Sequence, residues 1–477
     1  MQPDQFMYLF LTAGKKDLWS LTFGSYALNR HPLNPGDELL FRPVLYLLLG
    51  IERWLFGYNF HYWQLASLLL HLGVCLLLYK IIREVHAKGP VPFLLTLLFG
   101  VQYFSMEMVI WHHMSGYLLF CLLFLYSFQQ FRKFKNQPSW PNFFPLYIGL
   151  LLAAFTYEAG NAAAGWIAFY LLAINVVSSL RSNKLKPVSW KYPLLIFTIP
   201  LFYILLSALD YNYRFESFAS GLHSLETPAI NVIGVMQFVL FSSSLWLFSA
   251  FDPLYLILSP GERLATTGWV GLDSPLVILG VIPVILFAVG YAIRRARKRQ
   301  LVDALPEISI LIVMMLAFSF IIEMGRGTPR GIVDTLQGNP YYTYIFNLFA
   351  ILLIAFTLTP IFNVARSSDA LANVLMMVSL IIIIAFNARM TFAMNMAMLE
   401  YSKATWILVE KIEQLAHAHA DDETFTFSVD ASCKEDIDLY WYDLRDVPPK
   451  PFKAAEALYP YTYVEKNGKY VISCMND

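Results

Sequence analysis

The chain has 477 residues, 57% of them hydrophobic and 14% charged, with a mean hydropathy of +0.53. Soluble domains run at about 45–50% apolar and about 25% charged, so a water-soluble globule is excluded and an integral membrane protein is implied. The 34 Lys and Arg balance the 34 Asp and Glu, which removes the electrostatic case for nucleic acid, and four cysteines are too few for a disulfide framework.

In chain order, residues 1–60 read as a segment that does not span. It carries Asp4, Asp37 and Glu38, and its run from Phe41-Arg42-Pro43 to Phe56 is amphipathic and aromatic, which predicts a helix lying in the membrane interface. Apolar runs long enough to cross about 30 Å of hydrocarbon follow at 62–83, 91–108, 114–131, 142–158, 160–179, 192–209, 275–293, 307–324, 343–363 and 372–391. The run 230–258 breaks the alternation. It reads as a re-entrant or interfacial segment, with two short crossings split near Phe251-Asp252-Pro253 as the alternative.

Cations in the short loops set the orientation. Lys80, Arg83 and Lys88, then Arg132, Lys133 and Lys135, then Arg181, Lys184 and Lys186, and finally the cluster from Arg294 to Arg299 should all be cytoplasmic. The N-terminus and everything after residue 391 are then outside, with the chain in the plasma (inner) membrane. A polytopic chain that starts outside with no signal peptide is hard to insert, so one further helix upstream is expected.

From about residue 400 the composition turns polar. A helix is predicted over 398–416, strands over 424–429, 439–444 and 461–464, and a hairpin turn at Asn467-Gly468. Cys433 and Cys474 fall here and are free to pair in an oxidising compartment. The expected fold class is an all-α polytopic membrane protein of about ten or eleven transmembrane helices with a small outside α/β C-terminal domain. Its parts are a first outer loop (1–60), a membrane domain (61–395) and a polar cap (396–477).

The chemistry candidates lie near the outer face. Glu107 and Glu158 fall at helix ends close to membrane depth, where an ionisable group costs about 2.5–3.5 kcal/mol even on insertion scales. The plain alternative is a carboxylate at a solvated helix end. His112 and His113 sit near Glu107, and Arg326, Arg330 and Tyr342 share the last outer loop with Tyr344. A carboxylate can deprotonate an acceptor hydroxyl, and arginines can hold a phosphate through charge-assisted bonds. Other signals are weaker. Asp436-Ile437-Asp438 reads as solvated surface, the glycine-rich 325–331 as a turn with basic side chains, and His417, His419, Asp421 and Asp422 as a polar helix end. His71, on an apolar span, reads as a helix-to-helix hydrogen bonder.

One stretch resembles a known family. Phe41-Arg42-Pro43 is followed by Gly57-Tyr58-Asn59, then by a span with His61-Tyr62 leading and His71 trailing, then by Glu107 with Trp111 to Gly116, and later by Tyr157-Glu158. This order resembles the GT-C superfamily of polytopic glycosyltransferases, closest to the branch of bacterial and TMTC-type mannosyltransferase-like proteins. The likeness covers about a quarter of the chain in motifs and most of it in expected topology. The resemblance implies an inverting transfer of a sugar from a polyprenyl-phosphate carrier to a glycan, lipid or protein acceptor. It implies a catalytic Asp early in the first outer loop, where Asp4 stands, with Asp37 as the fallback. It also implies phosphate contacts from the late loop, where Arg326, Arg330 and Tyr342 match. Tyr117 stands where the family often has an Arg. The lipid bilayer is the environment, no particular cofactor is implied, and a divalent metal stays open. The alternatives are an O-antigen polymerase or ligase, against which the short late loop counts, and a lipid or small-molecule transporter, against which the clean span centres count.

Overall fold

The computed structural model describes residues 17–22 except 20, 41–85 except 58, 89–102, 108–109, 114–180, 188–215, 300–326 and 343–364. It also describes isolated positions within 235–242 and 378–392, and three strands between 427 and 474.

Arg42 precedes helix α1 (Pro43–Phe56), where Pro43 occupies the start of the helix and has no N–H to leave unpaired. The helix stops at Gly57, whose φ of 56° suits a residue without a Cβ. α1 buries Leu45, Tyr46, Leu49, Glu52 and Arg53 and exposes Leu47, Trp54 and Leu55. Its outward face is therefore apolar, as an interfacial helix requires.

The main body is built from α2 (Phe60–Val85), α3 (Val91–Gly100), α4 (Ser115–Asn136), α5 (Trp140–Thr156), α6 (Ala159–Leu180), α7 (Lys191–Phe215), α8 (Gln300–Arg326) and α9 (Thr343–Val364). Four segments of these are long and apolar enough to cross a membrane: His61–Val85, Ala159–Val176, Lys191–Leu209 and Ala304–Ile322. Shorter apolar helices accompany them, among them Val91–Gly100, Trp140–Thr156 and Leu380–Arg389. The expected runs 62–83, 114–131, 160–179, 192–209, 307–324 and 343–363 thus fall on helices, and the run 142–158 passes the end of its helix at Thr156 by two residues. The run 275–293, the cysteine Cys433 and most of 230–258 lie outside the described residues.

Two expectations are corrected. The run 91–108 is no single helix, because α3 ends at Gly100. Apolar residues continue among Gln102, Ser105 and Glu107, and the carbonyls at the end of α3 find partners from elsewhere in the chain. His71 Nε2 lies 3.2 Å from the Gly100 carbonyl, and Thr391 Oγ1 donates to the Val101 carbonyl at 2.7 Å. Tyr344 belongs to helix α9 rather than to a loop. It is fully buried, and its hydroxyl lies 2.8 Å from His71 Nδ1.

α4 packs against α2 and α5, α6 against α7 and α8, and α8 against α9. Phenylalanines at helical spacing on α4 make the centre of the core. Phe124 meets Phe349 at 4.9 Å and Phe128 meets Phe356 at 5.7 Å between ring centres. The opposite pattern marks the outside. Leu65, Leu68, Leu69, Leu72 and Leu76 of α2, and Leu194, Phe197, Leu201 and Leu205 of α7, are exposed. Such stripes are costly in water and natural against lipid.

At one end of the bundle, charges tie three helices together. Lys135 Nζ donates to Glu307 at 2.6 Å, and Glu84 accepts from Arg132 at 2.6 Å and from Gln129 at 2.7 Å. Near the C-terminus the backbone pairs as a three-stranded sheet of β1 (Phe427–Val429), β2 (Tyr461–Lys466) and β3 (Lys469–Cys474) in the order β1-β3-β2. β2 and β3 are antiparallel, and Lys466 opposes Lys469, the register that a two-residue connection at Asn467-Gly468 demands. β1 runs parallel to β3.

Candidate active site

The site is assembled at the other end of the bundle, where α5 hands over to α6. α5 ends at Thr156, and Tyr157 is extended, with φ −154° and ψ 139°. That kink turns Tyr157 into the core, where it is 2% exposed, and sets Glu158 at the mouth of the junction. Gly160 permits the tight turn, since a Cβ there would lie 2.4 Å from the Ala154 backbone nitrogen.

Arg42 meets Glu158 across 116 positions of sequence. Its Nε donates to Oε1 and its Nη2 to Oε2, both at 2.8 Å, the two-pronged geometry in which a guanidinium binds a carboxylate most strongly. The guanidinium carbon stands 4.5 Å from the centre of the Tyr157 ring, so the cation also rests on an aromatic face. Tyr157 in turn packs on Tyr117 of α4, with ring centres 4.9 Å apart. Phe41, the residue before Arg42, packs against Phe155 and Tyr203, with ring centres 6.0 Å away in each case.

The electrostatics follow from this packing. Burial opposes the charge on Arg42, and the Glu158 carboxylate outweighs it, so the guanidinium is held well above its ordinary value. Tyr157, buried and packed on Tyr117 and Phe120, is a fixed aromatic platform. The pair keeps partial access, with side chains 13% and 18% exposed for Arg42 and Glu158. With Nε and Nη2 committed to Glu158, Nη1 is the edge of the guanidinium left over.

Of the sequence-predicted residues, Arg42 and Glu158 are brought together directly. Arg326 is the last residue of α8, and its side chain lies outside the described set. Asp4, Asp37, Glu107, His112, His113, Arg330 and Tyr342 also lie outside the described residues. Tyr157 and Tyr117 are the residues that sequence reasoning underused. Tyr157 was visible only as the neighbour of Glu158, and no periodicity marks its ring as the bed of a cation. Among the described residues no group of three or more His, Cys, Asp or Glu is placed to hold a metal ion.

No protein-family model matches the chain, and no curated protein or solved structure matches it either.

Proposed function

We propose that the protein is a membrane glycosyltransferase that moves a sugar from a polyprenyl-phosphate carrier to an acceptor hydroxyl at the outer face, with inversion. The observation that carries this reading is the Arg42–Glu158 clamp over Tyr157. The two residues belong to separate motifs of the GT-C resemblance, and they meet in one partly open, aromatic-floored corner.

The chemistry fits a glycosyl phosphate. Its leaving group is already good, so the protein has to neutralise the departing phosphate and deprotonate the acceptor. Arg42 is the phosphate contact. Its fork is fixed by Glu158 and its face by Tyr157, so little side-chain freedom is lost when an anion approaches Nη1. Glu158 turns both oxygens to the guanidinium rather than to an acceptor, which makes it a positioning residue. The general base is then Asp4 or Asp37 of the first outer segment. Arg326, Arg330 and Tyr342 complete the phosphate contacts, and Glu107, His112 and His113 line the acceptor side. The sheet at 427–474 belongs to a small α/β cap on that same outer side. Tyr117, beside Tyr157, stands where the resemblance has an Arg, so Arg42 bears more of the phosphate charge here.

The test is release of polyprenyl phosphate from a panel of polyprenyl-phosphate sugars by the protein in membranes. Turnover of one donor, lost at unchanged protein level in Arg42→Lys, which keeps a cation beside Glu158 without the fork, is expected. Absence of turnover with every donor, repeated with an upstream helix supplied, would overturn the transferase reading in favour of transport.

A further inference from the structure

α5 and α7 lie side by side and run in the same direction. Phe143 meets Tyr192 at 4.7 Å between ring centres near the start of both helices, and Phe155 meets Phe202 at 6.0 Å further along. Between these contacts the Tyr147 hydroxyl lies 3.3 Å from Thr198 Oγ1. On α5, Trp140, Phe144, Tyr147 and Leu151 recur at steps of four, three and four residues, which puts them on one face. On α7, Lys191, Leu195, Thr198 and Phe202 recur at the same steps. The Tyr147–Thr198 contact joins the two stripes, so they line one seam.

The seam is open along its length. Trp140, Phe144, Lys191, Thr198 and Phe202 are exposed, and Tyr147, Leu151 and Leu195 are half-buried. A stripe of this length rises about 16 Å, close to half of a hydrocarbon core, so it matches one leaflet. The part of α7 long and apolar enough to cross a membrane begins at Lys191. Exposed Trp140 and Trp190 stand at that same end, as tryptophans do at a membrane–water boundary, and the Trp140 ring lies 5.2 Å from that of Tyr192.

Two polar features interrupt the apolar strip. Lys191 makes no ion pair with a described residue, and at the start of a helix the dipole does not favour a cation. Its charge serves neither a described acid nor the helix. The second feature is the hydroxyl pair. Thr198 Oγ1 donates to the Leu195 carbonyl at 2.6 Å, so Tyr147 is the donor between the two hydroxyls. At 3.3 Å that bond is long, and its proton is available to a better acceptor. A cation at the boundary, a hydroxyl donor deeper in and an apolar trough match, in order, the phosphate, ester carbonyl and acyl chain of a glycerophospholipid. The lone cation favours a lipid whose phosphate charge no headgroup ammonium cancels.

We propose that the α5–α7 seam binds an anionic glycerophospholipid, with its phosphate at Lys191, an ester carbonyl at Tyr147 and one acyl chain along the stripe. The inference rests on the membrane reading and is independent of the transferase reading.

Photolabelling of the full chain in phosphatidylcholine nanodiscs tests this. The probe is phosphatidylglycerol carrying a diazirine on one acyl chain, and labelled peptides are mapped after irradiation. The exposed leucine face of α2, Leu65 to Leu76, is the control for chance contact with lipid. We expect the α5 and α7 stripes to be labelled several-fold above α2, and a phosphatidylcholine analogue with the same diazirine to label both faces alike. The excess is expected to fall to the α2 level in Lys191→Gln and part-way in Tyr147→Phe. Seam labelling by the anionic probe no higher than that of α2 would overturn the proposal, as would an excess undiminished in the folded Lys191→Gln variant.

Discussion

The two charged ends of the bundle are built differently. α4 touches both, with Tyr117 near one end and Arg132 and Lys135 near the other, about 22 Å along the helix. At the Lys135 end the charges form a chain. Glu84 takes Arg132 and Gln129, Glu307 takes Lys135, and Arg132 also stands 3.9 Å from Glu307. Each carboxylate has a second partner close by, and Glu84 is 39% exposed. At the Arg42 end a lone pair is seated among aromatic rings. The contrast teaches that the same residue types make a latch where partners are shared and water is near. They make a site where one cation is fixed with an edge to spare.

Substitutions sharpen that contrast. Arg42→Ala leaves the Glu158 carboxylate partly buried without its cation, so a loss of about 3–5 kcal/mol is expected, read as a large fall in thermal unfolding temperature. Glu307→Gln is expected to cost less, about 1–2 kcal/mol, because Arg132 keeps Glu84 and Lys135 can turn to water. If the two losses were equal, the distinction between the ends would fail. Tyr344→Phe removes one hydrogen bond to His71 and is expected to cost about 1 kcal/mol by the same unfolding assay, with little change at either charged end. Trp54→Ala on the exposed face of α1 is expected to change unfolding in detergent least, within about 0.5 kcal/mol.

Much of this organisation was legible in the residues. Apolar runs marked the helices because hydrocarbon demands an internally bonded backbone. His71 was readable as a helix-to-helix bonder because an imidazole on an apolar stripe must find a partner, and it finds Tyr344. The Val464–Tyr470 hairpin followed from Asn-Gly turn chemistry. Arg42 and Glu158 were each marked separately, one by its motif and one by its depth. Their pairing was not readable, since nothing local joins residues 116 apart. The early end of α3 was hidden for a related reason. Aromatic and aliphatic residues continue past Gly100 among Gln102, Ser105 and Glu107, and the bonds from His71 and Thr391 at its end come from other segments. The basic residues Arg132 and Lys135 were read as signals of sidedness, and their pairing with Glu84 and Glu307 was missed.

The central claim is that Arg42 and Glu158 act as one unit, and a double-mutant cycle in thermal unfolding tests it most directly. Arg42→Met and Glu158→Leu are made singly and together. Each single substitution is expected to be strongly destabilising and the double variant to recover most of the loss, with a coupling of about 2 kcal/mol or more. Additive losses, with no recovery in the double variant, would contradict it.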